Sequence, residues 1–370
     1  MKNSSAWCSI LKSFFGFVVG LSLALTLTAL AGENPLHVLV VLMRSSFGSS
    51  YDFGLVLFYT TSLVFTGLAV CLPFQAGLFN IGAEGQLTMG ALTMAAVGIL
   101  WPALAFPWAP LLAVLAGVFV AGLWGFIPGW LRASRGSHEV IVTMMFNFIA
   151  AGASSYFIVG ALKSTDSQNP ETASIGAGYL LKNIDPIHGL SPDSPFNSAF
   201  LIAILMSFIT WLLLNKTVWG YELKAVGLSP EAASTAGINA KKYRILSMIL
   251  AGGFAGLVGL NEILGSAGKF RLGFSPDYGF MGIAVALLAR NNPLGIIFSA
   301  FLFGALQKGA TDLDLETATI TRDFAKILQA IIILSVAGFY AAKFLDSSSE
   351  NSSVLKVSIL TRIKKWLKKA

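Results

Sequence analysis

Apolar runs matched to the thickness of a lipid bilayer recur along this chain, and they limit its folds more than any other feature. They lie near residues 14–31, 53–74, 86–104, 108–130 and 139–161 in the first half, and near 198–214, 244–264, 279–290, 294–310 and 325–342 in the second. A helix crossing a bilayer needs roughly 20 consecutive apolar residues, and hydrocarbon admits only backbones whose polar groups pair internally. Charged residues make up 12% of the chain and hydrophobic ones 55%. An average soluble domain carries about 25% charge, so a soluble fold is excluded. The expected fold is all-α, a polytopic membrane helical bundle of about ten transmembrane helices. The run at 279–290 is too short to cross upright, so this segment is expected to be broken or re-entrant and packed inside the bundle.

The net charge of +7 follows the topology rather than a nucleic-acid surface. With the N-terminus inside, 17 of the 25 Lys and Arg residues fall on cytoplasmic segments, among them 5 at 216–244 and 7 from Lys343 onward. Arg44, Lys163, Lys182, Lys269, Arg271, Lys308, Arg322 and Lys326 face outward. This bias places both termini in the cytoplasm of a multi-pass membrane protein, with no nucleic-acid partner. Lys2, Lys12 and Ala29-Leu30-Ala31 also fit a cleaved secretory signal, but the apolar stretch is longer than a signal core and is read as an uncleaved anchor. Cys8 and Cys71 are far apart, which indicates neither a disulfide framework nor a metal site.

Residues 1–346 are read as one transmembrane domain and 347–370 as a basic cytoplasmic tail. The tail runs from a Ser-rich spacer to Ile363-Lys364-Lys365-Trp366-Leu367-Lys368-Lys369, either a short helix on anionic lipid or a solvated end. The longest outward loop, 162–197, is rich in Ser, Pro, Asp and Asn, with turns at Asn169-Pro170 and Ser191-Pro192, and reads as an irregular external cap.

Three segments carry chemistry. In the first, residues 77–91, four glycines surround Asn80, Glu84 and Gln86 at the entry to the third run. An unpaired polar group at membrane depth costs several kcal/mol, so these three side chains face protein or water. Gly77, Gly82, Gly85 and Gly90 permit close backbone approach or a helix break of the kind that builds midplane sites; a plain small-residue packing seam is the alternative.

The second segment is the cytoplasmic loop 215–244. Gly220-Tyr221-Glu222-Leu223 leads to Ser229, a good N-cap; Pro230 suits the first helical position, Glu231 the positive helix end, and Gly237 a left-handed stop. The resulting helix of about two turns, with Ala232 and Ala233 on its surface and Ile238 after its stop, is too short to stand alone in water and suits a groove on a partner. The third segment, Gly279-Phe280-Met281-Gly282-Ile283 through Asn291-Asn292-Pro293-Leu294-Gly295, is a short Gly-interrupted span ending in a cytoplasmic turn. Asn147, inside Met144-Met145-Phe146-Asn147-Phe148, suits either a bond to a planar heterocycle or an interhelical one. Asn261, Glu262 and Gln307 are further buried polar candidates, and Ser137-His138-Glu139-Val140-Ile141 reads as a helix start and a gate.

The sequence contains no G-x-x-x-x-G-K-[ST] phosphate loop, HExxH pair, Cys/His cluster or G-x-S-x-G elbow, so no catalytic residue, metal ligand or cofactor is expected in this chain. The three segments, in this order, resemble the permease subunits of ABC importers of the ribose, branched-chain amino-acid and nucleoside family. Gly77-Leu78-Phe79-Asn80-Ile81-Gly82-Ala83-Glu84-Gly85-Gln86 is similar to the nucleoside-type branch almost residue for residue. Arg290, where the family commonly has a small residue, is a departure.

The resemblance spans about residues 53 to 342 and implies a permease of the bacterial inner membrane, not an enzyme. It further implies a cytoplasmic ABC ATPase that hydrolyses the ATP, a second permease, similar or identical, and an extracytoplasmic substrate-binding protein. By the same resemblance Glu222, Ser229, Pro230, Glu231, Ala232, Ala233, Gly237 and Ile238 belong to a coupling helix that docks on the ATPase. Asn80, Glu84, Gln86 and Asn147 are expected along the substrate pathway. Nucleosides are the expected solutes, with ribose-like sugars or a flavin-type vitamin as alternatives. An ion-coupled secondary transporter is the rival class.

Overall fold

The computed structural model describes residues 3–165, 167–182 and 194–316, with isolated positions between 326 and 335. Most of the expected last span at 325–342, the tail and the turn at Ser191-Pro192 lie outside the described residues. Contacts divide the chain into two units, residues 1–38 with 317–370, and residues 39–316. The described part of the first is chiefly α1 (Asn3–Leu30). The second begins within α2 (Pro35–Phe47), a short helix that the hydrophobic runs did not foreshadow, and runs to Glu316.

Regular structure among the described residues is helical, apart from two isolated bridges, Lys163 with Thr172 and Glu171 with Arg271. Among the described residues six helices are long and apolar enough to cross a membrane: α3 (Ser50–Gln75), α5 (Trp108–Arg135), α6 (Glu139–Val159), α7 (Ala199–Lys216), α10 (Ala240–Gly256) with its continuation to Ala267, and α12 (Pro293–Glu316) over Pro293–Leu313. Between them lie α4 (Ala83–Leu100), α8 (Val218–Leu228), α9 (Pro230–Thr235) and α11 (Tyr278–Leu288). The 11 residues of α11 reach about 16 Å, half a bilayer, and most of them are buried in the bundle.

One interruption falls where the apolar pattern runs on. The stretch 244–264 reads as a single span, yet α10 stops at Gly256 and resumes as a π-helical turn, Leu260–Ala267. Such turns insert extra backbone and re-aim side chains, here Asn261 and Glu262. The apolar run cannot show this, because a π turn keeps the composition of the helix it interrupts.

Depth within the bundle separates the helices. In α3 the most apolar window is 83% buried, while in α6 it is 22%, so α3 is the central post and α6 lies at the periphery. In hydrocarbon, apolar surface supplies little drive for helix association, and close backbone approach takes its place. Accordingly α4, α5 and α10 meet through glycine. A Cβ on Gly252 would stand 2.1 Å from the Ala121 carbonyl oxygen, and one on Gly90 would stand 2.6 Å from the Cα of Gly256.

Candidate solute pathway and coupling element

The chain leaves helical geometry at the end of α3. Pro73 lies in its last turns, its carbonyl accepts from the N–H groups of Ala76 and Leu78 at 2.9 and 3.0 Å, and Gly77 takes φ +72°. Residues 78–82 are then irregular until α4 begins at Ala83. A break inside a membrane protein leaves backbone groups that must find partners.

Asn80 and Gln86 supply them. Both side chains are fully buried. Asn80 Nδ2 donates to Gln86 Oε1 at 2.9 Å and to the Ala69 carbonyl at 3.3 Å, while its Oδ1 accepts from the Gly82 N–H at 3.0 Å and from Gln86 Nε2 at 3.3 Å. Asn147 reaches across from α6, donating to the Ile81 carbonyl at 3.0 Å and accepting from the Gly85 N–H at 2.8 Å. A Cβ at position 85 would stand 2.9 Å from Asn147 Oδ1, which accounts for that glycine. Three of the four residues expected on the pathway therefore form one amide network that stitches α3, α4 and α6 together.

Glu84 faces the other half of the chain. Its Oε2 accepts from the Gly279 N–H at 2.7 Å, and the Ser275 side chain also hydrogen-bonds it. The carboxylate thus caps the positive end of α11. A Cβ on Gly279 would lie 2.3 Å from the backbone nitrogen of Glu84. The two Gly-rich segments read separately in the sequence meet here, helix N-terminus against helix N-terminus.

A second polar group adjoins this joint. Glu262 Oε1 accepts from Ser62 Oγ at 2.8 Å, and the hydroxyl of Tyr278 also hydrogen-bonds this carboxylate. Asn261 donates to Ser62 Oγ at 2.9 Å and to the Phe58 carbonyl at 3.0 Å, and accepts from Asn197 Nδ2 at 3.0 Å. Tyr59 lies beside it, its ring centroid 6.5 Å from that of Tyr278. Of these residues only Asn261 and Glu262 stood out in the sequence. Asp52, Tyr59, Ser62 and Thr66 recur at helical spacing along α3, and that polar stripe is the signal that could have found the rest. Gln307 sits half-buried on α12.

In the loop 215–244 Thr217 Oγ1 accepts from the Gly220 N–H at 3.2 Å and caps α8; Ser229 Oγ accepts from the Ala232 N–H at 3.2 Å and caps α9. Pro230 stands at the first helical position and Glu231 in the first turn. Gly237 takes φ +83°, and the Ile238 N–H returns to the Ala233 carbonyl at 3.0 Å, closing the helix as its sequence requires. Ala232 and Glu231 are exposed, whereas Ala233 is buried.

Glu222 is taken by the hydroxyl of Tyr243 and braces α8 against α10. Leu223 packs with Leu72, Ala76 and Leu214, so the loop rests on the end of α3. A Cβ on Gly227 would meet the Gln75 carbonyl oxygen at 2.1 Å, and one on Gly77 would meet the Gly227 oxygen at 3.1 Å. The knob and the break are in backbone contact. Beside them Arg132 pairs with Glu139 at 3.1 Å where α6 starts.

At the opposite ends of the helices Glu171 pairs with Lys269 at 2.7 Å and Arg271 at 3.1 Å, fastening the loop after α6. The Lys269 hydrogen bond, then one from Ser167, holds the Glu171 carboxyl below its ordinary pKa. Lys308 bridges Asp52 at 3.0 Å and Asp312 at 2.6 Å, tying α3 to α12.

A bundle of membrane-spanning helices in which two helix N-termini meet internally, with a capped knob resting on the break, defines a transport protein of the polytopic permease class. Residues 53–337 match the family Branched-chain amino acid transport system / permease component, and the chain belongs to it. It is a permease component, not an enzyme. It is 36% identical over 341 residues to a guanosine ABC transporter permease protein of Bacillus subtilis, covering 90% of this chain and 95% of that relative. A nucleoside ABC transporter permease protein of Lactococcus lactis is 35% identical, with 98% of each chain covered. A glucose ABC transporter permease protein of Haloferax volcanii is 34% identical, covering 81% of this chain and 80% of that relative.

Proposed function

We propose that this chain is the membrane permease of an ATP-binding cassette importer that moves nucleosides inward across the bacterial inner membrane. The observation that carries the mechanism is the Gly77–Gly227 contact, which joins the cytoplasmic knob to the break between α3 and α4. A partner ATPase hydrolyses ATP and displaces α9 through Ser229, Pro230, Glu231, Ala232, Ala233, Gly237 and Ile238; Glu222, held by Tyr243, keeps α8 moving with α10. The displacement reaches Asn80, Glu84, Gln86 and Asn147, which form the moving floor of the pathway. An extracytoplasmic receptor delivers the solute to the other side. Ten spans with both termini inside complete the topology, with α1, α4, α11 and the run at 325–342 added to the six long helices.

Nucleosides are supported by the two relatives aligned over nearly their whole length, named for guanosine and for nucleosides. The relative named for glucose supports simple sugars as the second reading. These solutes share an uncharged ring with neighbouring hydroxyl groups. Bacillus subtilis and Lactococcus lactis each hold a second, more distant permease relative, 29% and 25% identical, which supports pairing with a similar rather than identical subunit.

The test is uptake by the reconstituted complex in vesicles. ATP-dependent accumulation of a labelled nucleoside is expected, with at least about a tenfold loss in Glu231→Arg and Gly237→Val while the permease still inserts. Accumulation that persists without the ATPase, or normal uptake in both variants, overturns the reading.

A further inference from the structure

The network around Glu262 has a depth that the amide network lacks. Ser62, its donor, lies twelve residues from the start of α3 and thirteen from the end, so roughly 18–20 Å of helix extend either way. Glu262 therefore sits near the middle of the spanning bundle. A carboxylate at that depth is expensive to keep and is retained where it lines a polar path. The backbone around it is discontinuous on both sides: a π turn carries Glu262, and Tyr278 opens the half-length α11. Discontinuous helices at mid-membrane are where transporters build binding sites.

The chemistry of the site is specific. An ionised carboxylate offers about four acceptor positions. Among the described residues its hydrogen-bond donors are Ser62 and Tyr278, so two acceptor positions stay open on a half-buried side chain. Two acceptors on one carboxylate match two hydroxyl groups on adjacent carbons of a sugar ring. Half-buried Tyr59, its ring tilted by 48° against that of the fully buried Tyr278, supplies an aromatic wall of the kind that borders the apolar face of a ring ligand. Asn261 and Asn197 fix Ser62 from behind, so the acceptor geometry is held by the bundle rather than by the solute.

We propose that Glu262, framed by Ser62, Tyr59 and Tyr278, is a solute site at mid-membrane that binds the vicinal diol of a sugar ring, as found in a ribonucleoside or a free sugar. This rests on the importer reading and adds the part of the solute that the permease itself recognises. The polar stripe of α3 leads toward it from the Asp52–Lys308 pair at the outer end, through Tyr59.

The test is made on the complete complex in vesicles, with receptor and ATPase, using guanosine, 2′,3′-dideoxyguanosine and free ribose at concentrations that saturate the receptor. The receptor is identical in every assay, so its own preference cancels when a variant is compared with the parent. Glu262→Gln is expected to lower the ratio of guanosine to dideoxyguanosine uptake at least about tenfold, the loss of hydrogen bonds to a charged acceptor, with solute-independent ATP hydrolysis retained. Glu171→Gln, at the outer loop, is expected to leave the ratio unchanged.

If Glu262→Gln does not assemble, Ser62→Ala removes the donor that orients the carboxylate and leaves its charge, and a several-fold fall in the ratio is expected. Guanosine uptake with an unchanged ratio overturns the diol site and leaves the nucleoside reading standing. Uptake of ribose but not guanosine overturns the nucleoside reading, and the site is then judged on ribose against 2-deoxyribose, where an unchanged ratio overturns it. Uptake of neither solute overturns both.

Discussion

The two places where this bundle interrupts its helices handle polarity in opposite ways. At the start of α4, the amides of Asn80, Gln86 and Asn147 are engaged with one another or with backbone, and two of the three side chains are fully buried. At the π turn after α10, Glu262 is a half-buried carboxylate with acceptor capacity left over. Amides that satisfy each other hold a break in one shape or let it move as a unit. A carboxylate with open lone pairs is a poor structural element in hydrocarbon and a good acceptor for a solute. The first interruption is a joint and the second a site, and Glu84 on Gly279 is the bond that couples them.

The harshest way to break this arrangement is at the joint. Gly279→Ala puts a carbon 2.3 Å from the Glu84 backbone nitrogen, and no side-chain rotation relieves it. We expect at least about 3 kcal/mol of destabilisation, seen as loss of monodisperse protein in detergent. Gly152→Ala on peripheral α6, where nothing lies within 4 Å, is the matched control and should be neutral or stabilising by up to about 1 kcal/mol. Equal behaviour of the two variants would mean that the meeting of α4 and α11 is slack.

The next effect separates joint from site by energetics. Asn80→Ala or Gln86→Ala strands a buried amide partner, and each should cost about 1–3 kcal/mol in a thermal or denaturant melt. The double variant should cost clearly less than the sum, because the two side chains serve each other. Full additivity would show that they act apart. Ser62→Ala should be milder, at most about 1.5 kcal/mol, since half-buried Glu262 keeps its bond from Tyr278. Its larger consequence should appear in the choice among solutes.

What was legible in the sequence follows the distance over which each feature is determined. The cap and stop of α9 are local chemistry, so Ser229, Pro230 and Gly237 marked them directly. The break at Gly77–Gly82 was legible because glycine and amides at membrane depth have few other uses. The bond from Gly279 to Glu84 joins residues 195 apart and that from Ser62 to Glu262 residues 200 apart, and no local pattern sets such pairings. The π turn was hidden for a different reason, since it alters geometry without altering hydropathy. Asn147 was legible as polar and as a candidate for an interhelical bond, but its partners were not, because they are backbone groups of a segment that first has to break.

The smallest effect tests the other side of the comparison, that ion pairs at the helix ends fasten rather than act. Glu171 is held below its ordinary carboxyl pKa by Lys269 first and by Ser167 and Arg271 after it. A depressed acid stabilises above its unfolded pKa, about 4.3 for Glu, and that contribution is lost as pH falls through the lower folded value. Stability should therefore be flat from neutral pH down to about 5 and then decline in the parent, whereas Glu171→Gln should start slightly lower and decline less. Melting temperatures in detergent across that window measure it, and a parallel fall in both proteins would assign the acid sensitivity elsewhere. Because the pair is a latch on the loop after α6, the variant should keep its solute preference even where its stability shifts. A change in solute choice would move the loop from fastening to selection and would remove the division of labour drawn between the helix ends and the mid-membrane carboxylate.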